Sequence, residues 1–287
     1  MFDVCVIGHV TKDIIRISGT EREMPGGTAY YASIAMKSLG LNVAVITKIG
    51  KKDGSLLDNI ESEQIHIILR ESLRTTTFTN IYTRGRDDRK QLVSDIATPF
   101  TVEDVEGIQS KTFHVGSLTK DDIPLEILLS LSKRSRISLD AQGFLRRIDE
   151  SSERVVITDW EKKEEFLPFV NILKVDEDEA KVMSGEKELE EMAVKLSGYG
   201  PEEVIITRGG KGSLIYCKSK LYWISSFAPR NLVDSTGCGD TYMAGYLYLR
   251  ARTDDIRKVG EFASRTATLK LENYGPLSRR QYGLTSP

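Results

Sequence analysis

The segment 234–240, DSTGCGD, sets two aspartates around two near-adjacent glycines, just before the apolar run TYMAGYLYL. Neither glycine nor aspartate favours the interior of an apolar helix, so the spacing points to a turn that opens one. Glycines at such a turn let consecutive backbone N–H groups converge on one anion without Cβ atoms in the way. The helix N-terminus adds roughly half a positive charge, and the geometry suits a phosphate. Asp234 and Asp240 would flank that nest, an arrangement suited to metal-bridged phosphoryl transfer. One carboxylate joins the cation shell and the other takes the proton of an attacking hydroxyl. A carboxylate of ordinary pKa, about 4, is too weak a base to ionise an alcohol beforehand. Asp240 would therefore orient the hydroxyl and accept its proton late in the transition state. On spacing alone, helix capping explains the aspartates almost as well.

The elements that must hold this turn run along the whole chain. Its 287 residues suit one large domain, or one with a smaller appendage. Short β-branched runs at 2–8, 42–50, 112–116, 136–140, 170–176 and 203–209 alternate with helical patterns at 29–40, 124–134, 162–170 and 187–200. A meander over GSLIYCKS and KLYWISSF follows, then two helices, 239–252 and 254–272. Strands that read as near-continuous apolar runs between helices predict an α/β fold, doubly wound, with a mostly parallel sheet flanked by helices. Two segments break the rhythm: 12–24, and the hairpin-like RTTTFTNIYTRGRDDRKQLVSDI at 74–96. We read them as a small β-strand lid over a body made of 1–11, 25–73 and 97–287. The hairpin tip, with Arg84 and Arg86, reads as a solvated turn in preference to a binding patch.

Bulk properties exclude several classes. Forty basic and 42 acidic residues leave a net charge of −2, with no basic excess to mark a nucleic-acid surface. Cys5, Cys217 and Cys238 lack metal-ligand spacing and read as reduced thiols, so a cytoplasmic location is expected. FDVCVIGHV is too short to span a membrane. RGGKGS has glycine where a P-loop has serine or threonine, GHVTKD replaces a dinucleotide fingerprint after the first strand, and no G-x-S-x-G elbow occurs. His9, His66 and His114 lie far apart and read as core or edge residues.

DSTGCGD closely resembles the D-x-T-G-A-G-D signature of the ribokinase-like (PfkB) family of sugar and nucleoside kinases, with Cys238 at the alanine position. PGGTAYYASIAMKSLG (25–40) resembles the family's early glycine pair and following helix. GHVTKD carries an early aspartate, KVDEDE (174–179) resembles K-x-N-x-x-E, and TRGGKG (207–212) resembles the T-x-G-x-x-G nucleotide loop. The motifs keep the family's order over nearly the whole chain. The resemblance implies Asp240 as catalytic base, with the backbone around Thr236, Gly237, Cys238 and Gly239 as anion hole. Thr207, Gly209 and Gly212 would approach ATP, and Asp176 and Glu179 would organise Mg²⁺ through water, with Asp234 beside them. Asp13, Gly26 and Gly27 would line the acceptor site. Ser264 and Gly275 fall where the family borders adenine and a monovalent-cation loop, such as one for K⁺.

Two departures stand out. Tyr31 occupies the position where the family commonly has an asparagine that binds sugar hydroxyls, and Asp176 replaces the asparagine of K-x-N-x-x-E. Asp140 ends a strand with Gln142 and Arg146 close behind, and GGTAYYAS with DAQGFLR looks similar to family members that phosphorylate neutral sugars or cyclic polyols such as myo-inositol. The expected activity is ATP-dependent phosphorylation of such an acceptor. A nucleoside kinase and a non-catalytic sugar sensor stay as alternatives, discriminated by ATP turnover. Unpaired lid edges make a homodimer through the lid an expectation as well.

Overall fold

Along the first strand, Phe2–Ile7 (β1), Val4 and Val6 face one apolar cluster while Cys5 and Ile7 face another. That alternation of wholly apolar side chains shows why the strand must lie between two layers. The computed structural model describes residues 1–17, 19–82, 89–149 and 151–279. The remaining strands are Thr11–Ile17 (β2), Thr20–Gly26 (β3), Val43–Gly50 (β4), His66–Ser72 (β5), Thr77–Tyr82 (β6), Arg89–Asp95 (β7), Ser110–Gly116 (β8) and Arg136–Asp140 (β9). They continue with Arg146–Asp149 (β10), Arg154–Ile157 (β11), Ile172–Asp176 (β12), Glu203–Thr207 (β13), Ser213–Cys217 (β14) and Lys220–Ile224 (β15).

Nine strands form the large sheet in the order β15-β14-β13-β12-β9-β8-β1-β4-β5. The seven from β13 to β5 are parallel, and β14 and β15 add an antiparallel edge. The doubly wound, mostly parallel body read from the sequence is therefore present, including the meander. The helices Thr28–Ser38, Cys238–Arg250 and Ile256–Leu271 cover one face, and Leu125–Ser132, Glu177–Ser184 and Leu189–Gly198 cover the other. The helical pattern at 162–170 shortens to Lys163–Phe166 followed by a 3₁₀ turn, Leu167–Phe169, which carries Pro168. Proline cannot donate to a continuing helix, so the chain tightens there.

The chain starts at β1 and winds outward in both directions, so the strand order reverses beside it. Ligands of open α/β sheets bind at such a switch point, beyond the carboxyl ends of the strands. β9, β12 and β13 end there in Asp140, Asp176 and Thr207.

The second sheet, β10-β11-β7-β6-β2-β3, stands beside those ends. It is larger than the two segments read from the sequence, because residues 146–157, assigned there to the body, supply β10 and β11. Each of these strands has only four residues, RRID and RVVI, too few to show an alternating apolar face, which hid them. Their apolar members Ile148 and Val155 pack with Phe78, Val93 and Leu118. The hairpin tip with Arg84 and Arg86 lies outside the described residues. Among those residues, no helix is long and apolar enough to cross a membrane.

Candidate active site

The DSTGCGD turn opens the helix Cys238–Arg250 from Gly237, whose φ of +75° is left-handed. A side chain there would be strained, and a Cβ would enter the ring of Tyr31. The Thr241 amide and hydroxyl both donate to the Gly237 carbonyl, at 2.9 and 2.8 Å. Thr236 through Asp240 line a cavity of about 540 Å³. A second helix, Thr28–Ser38, begins from Gly27 at φ +88°, and Gly27 and Thr28 line the same cavity. Two helix N-termini thus favour negative charge in one space. A larger cavity, about 670 Å³, includes Asp234 and Tyr274 in its walls but none of Asp13, Asp140 or Asp240.

Beneath the anion turn sits a lysine that the sequence reading passed over. Lys174 of β12 is buried, its ammonium 2.9 Å from Asp140 Oδ2 and about 3.3 Å from where a Cβ on Gly239 would stand. Burial alone would strip its proton, but Asp140, Glu179 and Asp240 outweigh that and hold its pKa above the usual lysine range. Asp240 is pushed up to about 6: burial leads, the Asp140 charge adds to it, and Lys174, a hydrogen bond from Thr28 and Arg146 oppose it. Glu179 is also raised, by burial first, against the pull of Lys174 and with further repulsion from Asp140 and Asp176. Three carboxylates share one fixed cation behind the turn.

Asp176 caps the helix Glu177–Ser184 in a reciprocal box: it accepts the Glu179 amide at 2.8 Å, and Glu179 accepts the Asp176 amide at 2.8 Å. The two acids expected to organise Mg²⁺ are thus also the cap of this helix. Asp176 still lines the cavity, while Glu179 lies buried behind it. Among the described residues, no group of three or more His, Cys, Asp or Glu could hold a metal ion. Asp176, backed by Glu179, fits Mg²⁺ that keeps much of its water and leans on donor phosphates. Asp234, expected beside them in the cation shell, is instead engaged by protein groups. Its carboxylate takes the Lys270 ammonium at 2.7 Å and the Thr236 amide at 2.9 Å.

Thr207 lines the cavity, and the turn after it is closed by the Arg208 amide donating to the Gly212 carbonyl at 2.8 Å. Gly209 and Gly212 are left-handed at φ +54° and +87°, and a Cβ on Gly212 would strike the Ile224 carbonyl. Neither glycine reaches the walls of this cavity, and Ser264 spends its hydroxyl on the Ser225 carbonyl at 2.9 Å. Gly275 lines the larger cavity instead.

On the acceptor side, Asp13 of β2 accepts the Thr11 hydroxyl at 2.8 Å and lies where a Cβ on Gly26 would be. The glycine is thus the room Asp13 needs. The second sheet also contributes Asn80 and Gln91, whose amides are joined at 3.0 Å and face the cavity with Gln142 and Arg146. Asn80 was missed in the sequence, although Phe78 and Asn80 at alternate positions of one strand share a face. The guanidinium of Arg146 lies 5.5 Å from the Phe78 ring centroid. Tyr31, expected to meet substrate hydroxyls, packs its ring against Gly237; its hydroxyl is buried without a hydrogen-bond partner.

The family model for pfkB family carbohydrate kinases matches residues 1–280. The cytidine kinase of Thermococcus kodakarensis is 28% identical over 270 residues, 88% of this chain and 90% of that one. A solved pyrophosphate-dependent kinase in the ribokinase family, complexed with a pyrophosphate analog and myo-inositol, has a TM-score of 0.89 at 27% identity, covering 98% of this chain and all of its own. Another solved structure is a pyrophosphate-dependent myo-inositol-1 kinase converted into a myo-inositol-3 kinase by replacing an asparagine and a serine, eleven positions apart, with leucines. It has a TM-score of 0.87 at 26% identity, with 98% and 97% of the two chains covered.

Proposed function

Because the chain belongs to the pfkB family of carbohydrate kinases, we propose that it transfers a phosphoryl group from a terminal diphosphate to one hydroxyl of a cyclic polyol of the myo-inositol class. The observation that carries this reading is the makeup of the cavity: Asp13, Asn80, Gln91, Gln142 and Arg146 lie in the same space as Asp240 and the anion turn. Carboxylates and amides accept hydroxyl hydrogens, and a ring bearing hydroxyls all round needs acceptors and donors on several sides. Asn80 and Gln91 are themselves eleven positions apart, as are the two residues replaced in the myo-inositol-1 kinase.

In the proposed mechanism, Asp240 orients the acceptor hydroxyl and takes its proton as the bond to phosphorus forms. The backbone of Thr236–Gly239, at the positive end of its helix, holds the equatorial oxygens of the moving group. Lys174 lies behind Gly239 and adds positive charge to the turn while its ion pair holds the Asp140 side chain in place. Bound Mg²⁺ would neutralise charge on the donor diphosphate, held by Asp176 through water with Glu179 behind. The motifs imply ATP as donor, whereas the two solved relatives described above are pyrophosphate-dependent. A terminal diphosphate is common to both donors.

The test is product formation with Mg²⁺ and either ATP or pyrophosphate over a panel of cyclic polyols, hexoses and nucleosides, followed by ³¹P and ¹H NMR. A polyol monophosphate formed with one donor at much higher kcat/KM identifies both substrates. Turnover confined to cytidine or another nucleoside would overturn the acceptor reading. The expected homodimer through the lid is read from the edge strand β3, and sedimentation at micromolar concentration tests it.

A further inference from the structure

Lys270, in the last turn of the helix Ile256–Leu271, has no solvent-exposed surface. Its three ammonium hydrogens meet three oxygens: Asp234 Oδ2 at 2.7 Å, the Asp234 carbonyl at 3.0 Å and the Asn273 carbonyl at 3.3 Å. A buried ammonium is tolerated only when paired and hydrogen-bonded in this way. Two of the three oxygens are backbone carbonyls, one from the first residue of the anion turn and one from just beyond the helix. The helix C-terminus supplies further negative potential. Carbonyl and carboxylate oxygens aimed at one dehydrated positive point are the surroundings of a small monovalent cation, and here the protein's own ammonium fills them. The residues present therefore do not fit the K⁺ expected from the sequence at this place.

The cage connects directly to the phosphate-binding backbone. The other oxygen of Asp234 accepts the Thr236 amide at 2.9 Å. The Val233 and Asp234 amides donate to the Leu271 carbonyl at 2.8 and 3.3 Å. Burial pushes the Asp234 carboxyl up, but Lys270 and the Thr236 amide outweigh it and keep it ionised. Without a cation there, Asp234 would be a half-buried charge facing two carbonyls, and the turn that it anchors would shift.

We infer that Lys270 is the built-in monovalent cation of the anion turn, a positioning residue that makes phosphoryl transfer independent of potassium. The charge cannot dissociate, so the turn stays preformed at any salt composition. Removing the side chain should open a space that K⁺ or a small alkylammonium can fill.

Two measurements test this, and the first needs no acceptor or donor. Thermal unfolding of the substrate-free wild-type protein should give the same Tm in potassium chloride and in tetramethylammonium chloride of equal ionic strength. Lys270→Ala should melt lower in tetramethylammonium and regain several degrees in potassium or methylammonium. In the second, wild-type turnover with magnesium and the active donor should change less than twofold between the two salts. Lys270→Ala should lose at least tenfold in tetramethylammonium and recover part of it in potassium or methylammonium; Lys270→Arg should stay independent of potassium. Several-fold activation of the wild type by potassium would overturn the inference, without touching the acceptor assignment. So would a folded, inactive Lys270→Ala indifferent to every small cation. If Lys270→Ala does not fold, the wild-type salt comparison and Lys270→Arg still decide.

Discussion

Asp240 shows how far a single residue could be read ahead of its surroundings. Its place before an apolar helix and after two glycines announced a carboxylate at an anion site. What the spacing left open was its environment, because Asp140 and Lys174 arrive from strands about a hundred and about seventy residues earlier in the chain. Burial first, and then the Asp140 charge, raise the Asp240 pKa to about 6 against the pull of Lys174, which places its acid limb within reach of assay. We predict that kcat/KM falls as the pH drops below about 6, since the protonated carboxyl cannot accept the hydroxyl proton. Asp240→Asn should lower turnover by roughly 10²–10⁴-fold, the usual contribution of a positioned base, with donor affinity measured by calorimetry nearly unchanged. The same raised pKa has a stability consequence. The folded state holds the proton more tightly than the unfolded chain, so this contribution is fully present below about pH 4 and is lost as pH rises through about 6. Asp240→Asn should therefore gain on the order of 2–3 kcal/mol relative to wild type at pH 8 but no more than about 1 kcal/mol at pH 4.5, by urea melts at the two pH values. Lys174→Met is expected to act in the opposite direction. It leaves Asp140, Glu179 and Asp240 buried without their shared cation, and breaking such a pair costs about 3–5 kcal/mol. The lysine escaped notice because its segment, KVDEDE, drew attention to its acids.

At the scale of elements, legibility followed length and periodicity. β1 and β4 read as continuous apolar runs because both faces are covered, and the helix after DSTGCGD read from its glycine start. β10 and β11 did not, since four residues each, RRID and RVVI, are too few to show a period until Phe78 and Leu118 are seen to pack against them. The turn–helix junction at Gly237 was visible as glycine, but the reason for it, the ring of Tyr31, was not. Gly237→Ala is predicted to cost more than about 1 kcal/mol, because it combines a left-handed φ with a clash against a buried ring. Activity should fall further than stability does, since the displaced backbone is the proposed phosphate nest. A parallel assay of kcat and urea midpoint separates the two effects. For the lid strands β6 and β7, the Asn80–Gln91 amide pair is the polar feature that faces the cavity. Replacing both with leucine should leave stability within about 1 kcal/mol, because both partners of a hydrogen bond are removed together. It should change which hydroxyl of a cyclic polyol receives phosphate, read by NMR of the product.

The whole molecule is a ribokinase-like α/β body with a second sheet standing over the carboxyl ends of its strands, and the cavity belongs to neither part alone. Asp140, Lys174 and Asp240 come from the body, whereas Asp13, Asn80 and Gln91 come from the smaller sheet. Strand order across these sheets is non-local, so no run of residues announced that β2 pairs with β6 or that β11 meets β7. The division has a functional consequence. If the acceptor completes the cavity, it bridges the two sheets and displaces the water that would otherwise take the phosphoryl group. Donor hydrolysis without acceptor should then be at least about tenfold slower than transfer. Hydrogen exchange of β2, β6 and β7 should slow when acceptor and donor are both bound, more than with either alone. Gln91→Ala weakens the smaller sheet's hold on the acceptor while leaving Asp240, Lys174 and the anion turn in place. It should raise the ratio of hydrolysis to transfer, measured as inorganic phosphate against phosphorylated product, while the body's exchange rates stay as in wild type. An unchanged ratio, with β6 and β7 exchanging at the same rate in all four ligand states, would mean that the second sheet is a fixed wall and that water is excluded by the body alone.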